Sequence, residues 1–343
     1  VDVARKHDIQ LVQNIPSGGL RGPAGDGASR IASHYKFSLS KVFELRPSAP
    51  AVIVIEDDLL FSPDFYKYFV AVAPVLETDP STLLVSAWND NGFGGLVQDP
   101  YELRRTDYFP GLGWLLTRDL FKKELEARWP NSHWDHWLRS PEIHKGREIV
   151  YPQVPRSFHN GIKGTFMNLE THNRYFRDIA YNQDAAVSWP RGETAYGSAV
   201  SSAYEKRVIN LIQSCHHVST LQEIQSNPGL FCIWIDVDPE PQFGRAPFEP
   251  IAQYFGIWHE HRRGAHKGLH EFYWANSAAL KSKNTKKSYI MLLNTHRGRL
   301  RHNQAQGGAS DSDYLSYKPS RIPLLSPSAF RREVGHKLRG AVK

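Results

Sequence analysis

Ala51 to Ile55 is an unbroken apolar run, led in by Pro50, and it ends on three consecutive carboxylates, Glu56, Asp57 and Asp58. An apolar stretch without alternation reads as a strand covered on both faces, the pattern of parallel α/β sheets. It predicts an α/β fold with this segment as a buried central strand. In open α/β sheets ligands bind beyond the carboxyl ends of the strands, so the acids stand at a ligand position. Neighbouring carboxylates repel one another unless a cation or hydrogen-bond donors offset them. Two readings follow: a cation site, or a solvated turn that caps a helix over "SPDFYKYF", with Ser62 at the N-cap and Pro63 at N1. Leu59, Leu60 and Phe61 separate the acids from that cap, which favours the cation site.

The chain has 343 residues, room for two modest domains or one large one. At 41% hydrophobic and 12% aromatic, with 9 Trp, it has the apolar surface for a sizeable core and is not a disordered chain. A net charge of +7 suits an anionic ligand such as a nucleoside diphosphate. It is not concentrated as a nucleic-acid binder's charge is, so no nucleic-acid partner is expected. Cys215 and Cys232 are separated in sequence and lack metal-ligand spacing, so no disulfide framework is inferred. No run approaches the apolar length of a membrane span. The start, "VDVARKHDIQLVQ", has neither Met nor a signal pattern and reads as the interior of a longer polypeptide.

Three regions follow. Residues 1–47 predict a short helix, a strand in "IQLVQ", a Gly-rich connection and a helix in "RIASHYKFSLSKVFEL". Strands then alternate with aromatic-rich helices and loops to about residue 190, giving a first domain over 1–190. A smaller mixed α/β unit over 200–300 carries strands in "LFCIWIDV" and "SYIMLLN" and a helix in "PIAQYFGIWHEH". Residues 301–343, rich in Ser, Gly and Pro, read as a loose tail. There is no internal repeat, no GxxxxGKS or GxxxxGKT loop, no GxGxxG after a strand and no GxSxG elbow. The Gly-rich stretch at 18–27 has no strand leading directly into it and reads as a connection. His259, His261 and His266 stand among Arg262, Arg263 and Lys267, a basic surface stretch rather than a zinc site.

Three further stretches carry information. "LLVSAWNDNG" is an apolar strand ending in the polar turn Asn89-Asp90-Asn91-Gly92. In "RRTDYFPGLGWLLTRDLF", Gly111 and Gly113 flank Leu112, letting backbone approach a ligand, or making a tight loop before a buried strand. In "RWPNSHWDHWLRSPE", Asn131 or Ser132 can cap one short helix that ends before Pro141. Asp135, between Trp134 and Trp137, is either a base in a drier pocket or a first-turn acid that favours the helix dipole.

"VIVIEDDLLFSPDFYKYF", "VSAWNDNG", "RTDYFPGLGWLL", "WPNSHWDHWLRSPE", "KGRE" and "VPRSFHNGIKG" occur in the order and spacing of glycosyltransferase family 13. The resemblance is dense over about residues 28–176. It is traceable again over 230–300, through "YFGIW", "RRGAHKGL" and "HRGRLRH". It implies a GT-A fold, a nucleotide-binding α/β sheet, whose first strand is missing here. It further implies transfer of GlcNAc from UDP-GlcNAc to O2 of an α-linked mannose on a glycoprotein glycan, with inversion to a β-1,2 linkage. Asp58 matches the ligand of an Mn²⁺ (or Mg²⁺) that bridges the UDP diphosphate, a hard-oxygen site suited to either ion. Glu56 matches the acid that hydrogen-bonds the donor sugar, while Asp57 falls in the motif and braces the turn. His34 matches the histidine that contacts uracil, against the alternative of a half-buried helix histidine. Leu112 and Trp134 match positions lining the GlcNAc pocket. Asp135 matches the catalytic base, and Lys163 and Thr165 lie in the loop that orders over bound nucleotide. The resemblance also implies an anchor outside this chain and a lumenal Golgi location.

Departures accompany these matches. Thr165-Phe166 replaces a small pair, His136 stands where a second Asp is common, and the family's half-cystine positions fall on Leu84 and Ile149, where apolar contact is expected instead. "IEDD", "WNDNG" and "RTDYFPGLGW" favour an N-glycan acceptor. "RSFHNGI" and "IWHEHRRGAHKGL" lean toward protein O-mannose. A reading of another class, an inactive nucleotide-sugar-binding protein, predicts UDP binding without transfer.

Overall fold

A computed structural model describes residues 2–14, 27–237, 247–260, 262–275, 286–295 and 324–340, with side chains to Val334 in the last helix. His261, "HRGRLRH" and nearly all of the Gly-rich stretch lie outside the described residues. The chain divides into two compact units: Val1–Val52 with Leu116–Ile143, and Ile53–Leu115 with His144–Lys343.

The first unit is built on the helix Gly27–Leu45, which buries Ala28, Ala32, Leu39 and Phe43 along one face. That face meets aromatic rings from the second segment. Phe43 stacks on Phe121 (5.8 Å between centroids), Phe121 meets Trp129 edge-on, and the Trp129 indole N–H donates to Ala32 O at 2.9 Å. The strand expected in "IQLVQ" does not form. Ile9, Leu11 and Val12 are exposed and no described strand pairs with them, and β-propensity without a partner strand stabilises little.

Eleven strands are described: β1 (Ala51–Val54), β2 (Leu59–Phe61), β3 (Thr82–Ser86), β4 (Leu103–Thr106), β5 (Trp114–Thr117), β6 (Glu148–Pro152), β7 (Ser157–His159), β8 (His216–His217), β9 (Leu230–Ile235), β10 (Leu269–Trp274) and β11 (Ser288–Asn294). Five form a sheet in the order β1-β5-β3-β6-β4. β3 and β6 run parallel, while β3–β5 and β4–β6 are antiparallel, so the sheet is mixed. The expectation of an α/β fold holds. The place of the opening apolar run does not: β1 is an edge strand, half-buried along its length, and Ile55 beyond it is 54% exposed. The fully buried central strand is β3. An uninterrupted apolar pattern cannot tell these apart, since burial depends on which strands flank it.

The helix predicted from Ser62 starts later, at Phe65, with Asp64 at its N-cap position and no side-chain cap. Asp64 has buried work instead. It accepts from Arg156 Nε, Asn182 Nδ2 and Trp189 Nε1, each at 2.8 Å. A second buried network holds the far side of the sheet. Arg105 donates to Glu148 and Asp79 at 2.8 Å each, and His266 lies between Glu148 and Glu205.

The other large sheet has the order β10-β11-β9-β8. β9 lies parallel to β11 and to β8, whose register sets His217 opposite Cys232. This pairing brings Cys215 and Cys232 together as a disulfide, with Cα atoms 5.7 Å apart. Spacing alone does not permit a disulfide to be inferred; strand pairing supplies it. The segment expected as a loose tail is ordered over its described part. Leu325 bridges Ile235, and Phe330 in the helix Pro327–Gly340 is fully buried against Tyr254 and Phe255. Leu325 and Phe330, with Ala329 and Val334 packed beside them, dock a Ser- and Pro-rich segment that composition marks as unstructured.

Candidate functional site

In the second unit, Glu56, Asp57 and Asp58 form the turn after β1, with Asp57 exposed and its neighbours half-buried. β2 follows at once and pairs antiparallel with β7, setting Leu59 opposite His159. The Asn160 amide donates to Asp58 O at 2.9 Å and closes this ribbon. As a result His159 Nε2 lies 3.2 Å from Asp58 Oδ2. Asp58 Oδ1 is buried without a hydrogen-bond partner, a costly state for a carboxylate oxygen. A Cβ on Gly161 would lie 2.4 Å from Asp58 Oδ2, so only glycine leaves this carboxylate its space. His159 is itself buried, against Phe176 at 4.8 Å and His172 at 6.3 Å between centroids. Burial pushes its imidazole below the usual range; Asp58 opposes that, and His172 adds to it. An imidazole nitrogen beside an unsatisfied carboxylate oxygen is a donor set that fits a divalent cation.

Leu112 lies in a loop tied to the same ribbon. Gly111, Leu112 and Gly113 have φ of +71°, +54° and +91°. Glycine accepts the left-handed region freely, whereas Leu112 pays roughly 1–3 kcal/mol for it. The strain is held by hydrogen bonds: Ser86 Oγ to Gly111 O at 3.1 Å, Ser157 Oγ to Leu112 O at 2.6 Å, and the Ala87 amide to Gly113 O at 2.7 Å. Ser157 lies two residues before His159 in β7. Lys163 and Thr165 are exposed in the loop between β7 and the helix Leu169–Tyr175, whose cap is Asn168 Oδ1 accepting from Thr171 N at 2.8 Å.

The turn Asn89-Asp90-Asn91-Gly92 is buried. Asn91 donates to Arg263 O and accepts from the Trp258 amide, both at 2.8 Å. Its work is to fasten Trp258 and Arg263 to the end of β3. His259 reaches Tyr175 and His266 reaches Glu148 and Glu205, so the described histidines of the basic stretch serve different surroundings. Among the described residues, the trio of metal-type ligands in mutual reach is Cys215, His217 and Cys232, whose sulfurs are committed to the disulfide.

In the first unit, His34 is exposed on the helix Gly27–Leu45, and the adjacent Tyr35 packs on Trp134 at 4.1 Å between centroids. Trp134 is buried and stacks on Trp129 at 5.9 Å. Trp134 and Asp135 begin the short helix Trp134–Leu138. Its N-cap is His133, with φ of +46° and no side-chain cap, rather than Asn131 or Ser132. Asp135 Oδ2 accepts from Arg139 Nη1 at 2.7 Å, and the side chain is 35% exposed. The dry pocket among tryptophans is therefore not what surrounds Asp135: the rings pack on each other and the carboxylate turns to an arginine one helical turn on.

The structure thus gathers Glu56, Asp57, Asp58 and Leu112 around β2 and β7 in one unit, and His34, Trp134 and Asp135 around one helix face in the other. All lie within a span, residues 22–272, that matches the GNT-I family.

The chain belongs to the GNT-I family.

A relative from Arabidopsis thaliana, "Alpha-1,3-mannosyl-glycoprotein 2-beta-N-acetylglucosaminyltransferase", is 34% identical over 245 residues, 70% of this chain and 53% of that protein. The chain spans about half the length of that curated relative. Among the described residues no helix is long and apolar enough to cross a membrane. In this GNT-I family chain, sequence reasoning passed over His159, although "RSFHNGI" was in view. The missing signal was the strand register with Leu59, which only pairing reveals. It also passed over Arg139, whose spacing four residues from Asp135 on a helix was there to be used.

Proposed function

We propose that this chain is the catalytic part of an inverting β-1,2-N-acetylglucosaminyltransferase of GT-A type. It moves GlcNAc from UDP-GlcNAc to O2 of an α-linked mannose on an N-glycan. The observation that carries this reading is Asp58. Within the matched family span, it ends the acidic turn after β1 with one buried oxygen that no donor of the protein satisfies. Asp58 would hold Mn²⁺, or Mg²⁺ in its place. When bound, the cation offsets the charge that gathers on the departing diphosphate.

The chain's own groups do the rest. Asp135 takes the proton from mannose O2 as that oxygen attacks C1 of GlcNAc; one displacement inverts C1 and gives the β linkage. Arg139 holds Asp135 Oδ2, which orients the carboxylate and leaves Oδ1 as the proton's destination. Glu56 accepts from a donor-sugar hydroxyl, and Asp57 braces the turn. His34 meets uracil, Leu112 and Trp134 line the GlcNAc pocket, and Lys163 and Thr165 ride on the loop over the nucleotide. The division into a catalytic 1–190 and a smaller 200–300 domain belongs to the same reading. So does a lumenal Golgi location through an anchor outside this chain, which the Cys215–Cys232 bridge supports because disulfides persist in oxidising compartments.

The test is transfer by the purified chain from UDP-GlcNAc, with Mn²⁺, to a mannose-terminated N-glycopeptide, the linkage being read by NMR. Preferential transfer to an O-mannosyl peptide would move the acceptor to protein O-mannose. UDP binding with neither transfer nor donor hydrolysis would make the chain a nucleotide-sugar-binding protein.

A further inference from the structure

The reading above assigns the cation one side chain, Asp58. The ribbon of β2 and β7 puts a second donor beside it. We propose that His159 is a nitrogen ligand of the same cation, bound through Nε2 in a position adjacent to Asp58 Oδ2. This inference rests on the metal site of the proposed function and adds a residue to it.

The geometry is that of two ligands on one ion. Ligand atoms roughly 2.1 Å from an octahedral ion and at right angles to each other stand about 3.0 Å apart. The observed Nε2–Oδ2 separation is 3.2 Å. A simple hydrogen bond could span the same distance; in either arrangement Nδ1 and Asp58 Oδ1 stay buried without a protein partner, but only a cation also offsets the carboxylate's charge. With the proton on Nε2, the Nδ1 lone pair is buried without a donor, and Asp58 Oδ1 is buried without one as well. With the proton on Nδ1, the Nε2 lone pair faces a carboxylate oxygen, an arrangement that is repulsive until a cation sits between them. The cation satisfies Nε2, Oδ2 and the carboxylate's charge at once.

The surroundings fit a ligand held in advance. His159 is 5% exposed, and its backbone is fixed by the pairing with Leu59. Phe176 covers the ring at 4.8 Å, and the His172 Nε2 lies 3.3 Å from His159 O. Gly161 leaves the space beside Oδ2 open. An imidazole in place of water changes the selectivity expected of the site. An all-oxygen site takes Mg²⁺ and Mn²⁺ alike, whereas a nitrogen donor favours transition ions over Mg²⁺.

The experiment uses the intact chain loaded with Mn²⁺ and UDP and reads the metal directly. Pulsed EPR should show coupling of Mn²⁺ to an imidazole nitrogen, with the signal changing on ¹⁵N-histidine labelling. His159→Asn should abolish the coupling and weaken Mn²⁺ binding by about 10–100-fold, the scale on which even groups behind a ligand act. It should weaken Mg²⁺ binding less. The unmutated, labelled protein answers the central question even where a variant fails to fold. Mn²⁺ bound in an Asp58-dependent manner without nitrogen coupling overturns the His159 assignment and leaves the Asp58 reading standing. Nitrogen coupling that persists in His159→Asn assigns the ligand to another histidine and also overturns it. Mn²⁺ binding unaffected by Asp58→Asn sinks the metal site as a whole, and this inference with it.

Discussion

Leu84 of β3 and Ile149 of β6 are register partners across a parallel strand pair at the centre of the five-stranded sheet, and both are essentially fully buried at 0% and 1% exposure. These are the positions where the family resemblance places a cross-link. Here apolar burial occupies the place of a covalent bond. Removing most of the Leu84 side chain therefore leaves a cavity in a region that packs from both faces. Leu84→Ala is expected to cost about 2–5 kcal/mol, read from urea unfolding. An unchanged midpoint would mean that the sheet centre collapses around the gap or that this contact is not formed.

Asp58→Asn removes a charged hard ligand but keeps the shape of the side chain. Isothermal titration with UDP, with and without Mn²⁺, should show the native protein binding more tightly with the ion and the variant indifferent to it. Equal metal dependence in both proteins would take Asp58 out of the cation site.

Asp135→Asn separates chemistry from binding. A base acts on the acceptor in the transition state, so turnover should fall by about 10²–10⁴-fold while UDP-GlcNAc affinity changes only a few-fold. The competing role of Asp135 is structural: an ion pair with Arg139 in a short helix. That role predicts a small loss of melting temperature with turnover per folded molecule intact. Both quantities are measured on one preparation, and a folded, fully active variant excludes the base.

His266 is buried between Glu148 and Glu205, and their charges hold its pKa up at about 9 against the opposing cost of burial. A raised histidine stabilises the fold fully below its unfolded value of about 6.5, and that stability is lost as pH climbs through about 9. The two glutamates sit at about 2, so their contribution is present above their unfolded value of about 4.5 and fades as pH falls toward 2. Stability should therefore peak between about pH 5 and 6.5 and decline toward pH 9. His266→Gln should be less stable at pH 6 and should flatten the alkaline decline. A native denaturation midpoint unchanged from pH 6.5 to 9 would refute the charged-histidine arrangement.

The Cys215–Cys232 bridge closes a loop of 17 residues in sequence separation. A loop of that size is worth about 3 kcal/mol. Reduction with a phosphine, followed by guanidinium unfolding, should lower the midpoint accordingly, with the four-stranded sheet as the region affected. No shift on verified reduction would mean that the pairing of β8 with β9 holds the segment by itself.

Local pattern alone determined a good deal about this protein. The run into Glu56-Asp57-Asp58, the glycines around Leu112 and the strands at β3, β9 and β11 were legible because each depends on residues close together in sequence. The order of motifs was enough to point to the family before any coordinate. What the tertiary structure decided is what depends on partners distant in sequence. β1 is an edge strand although its residues suit a centre, because only one of the described strands pairs with it. "IQLVQ" has strand-forming residues but no described strand beside it, and it is exposed. Asp64 looks like a helix-start acid, yet it is claimed by Arg156, Asn182 and Trp189, each more than ninety residues away. Cys215 and Cys232 meet because β8 pairs with β9, and His159 meets Asp58 because Leu59 pairs with it. Strand register is set by the whole sheet, and a side chain's chemical neighbours follow from register, so these pairings could be read only once the chain had folded.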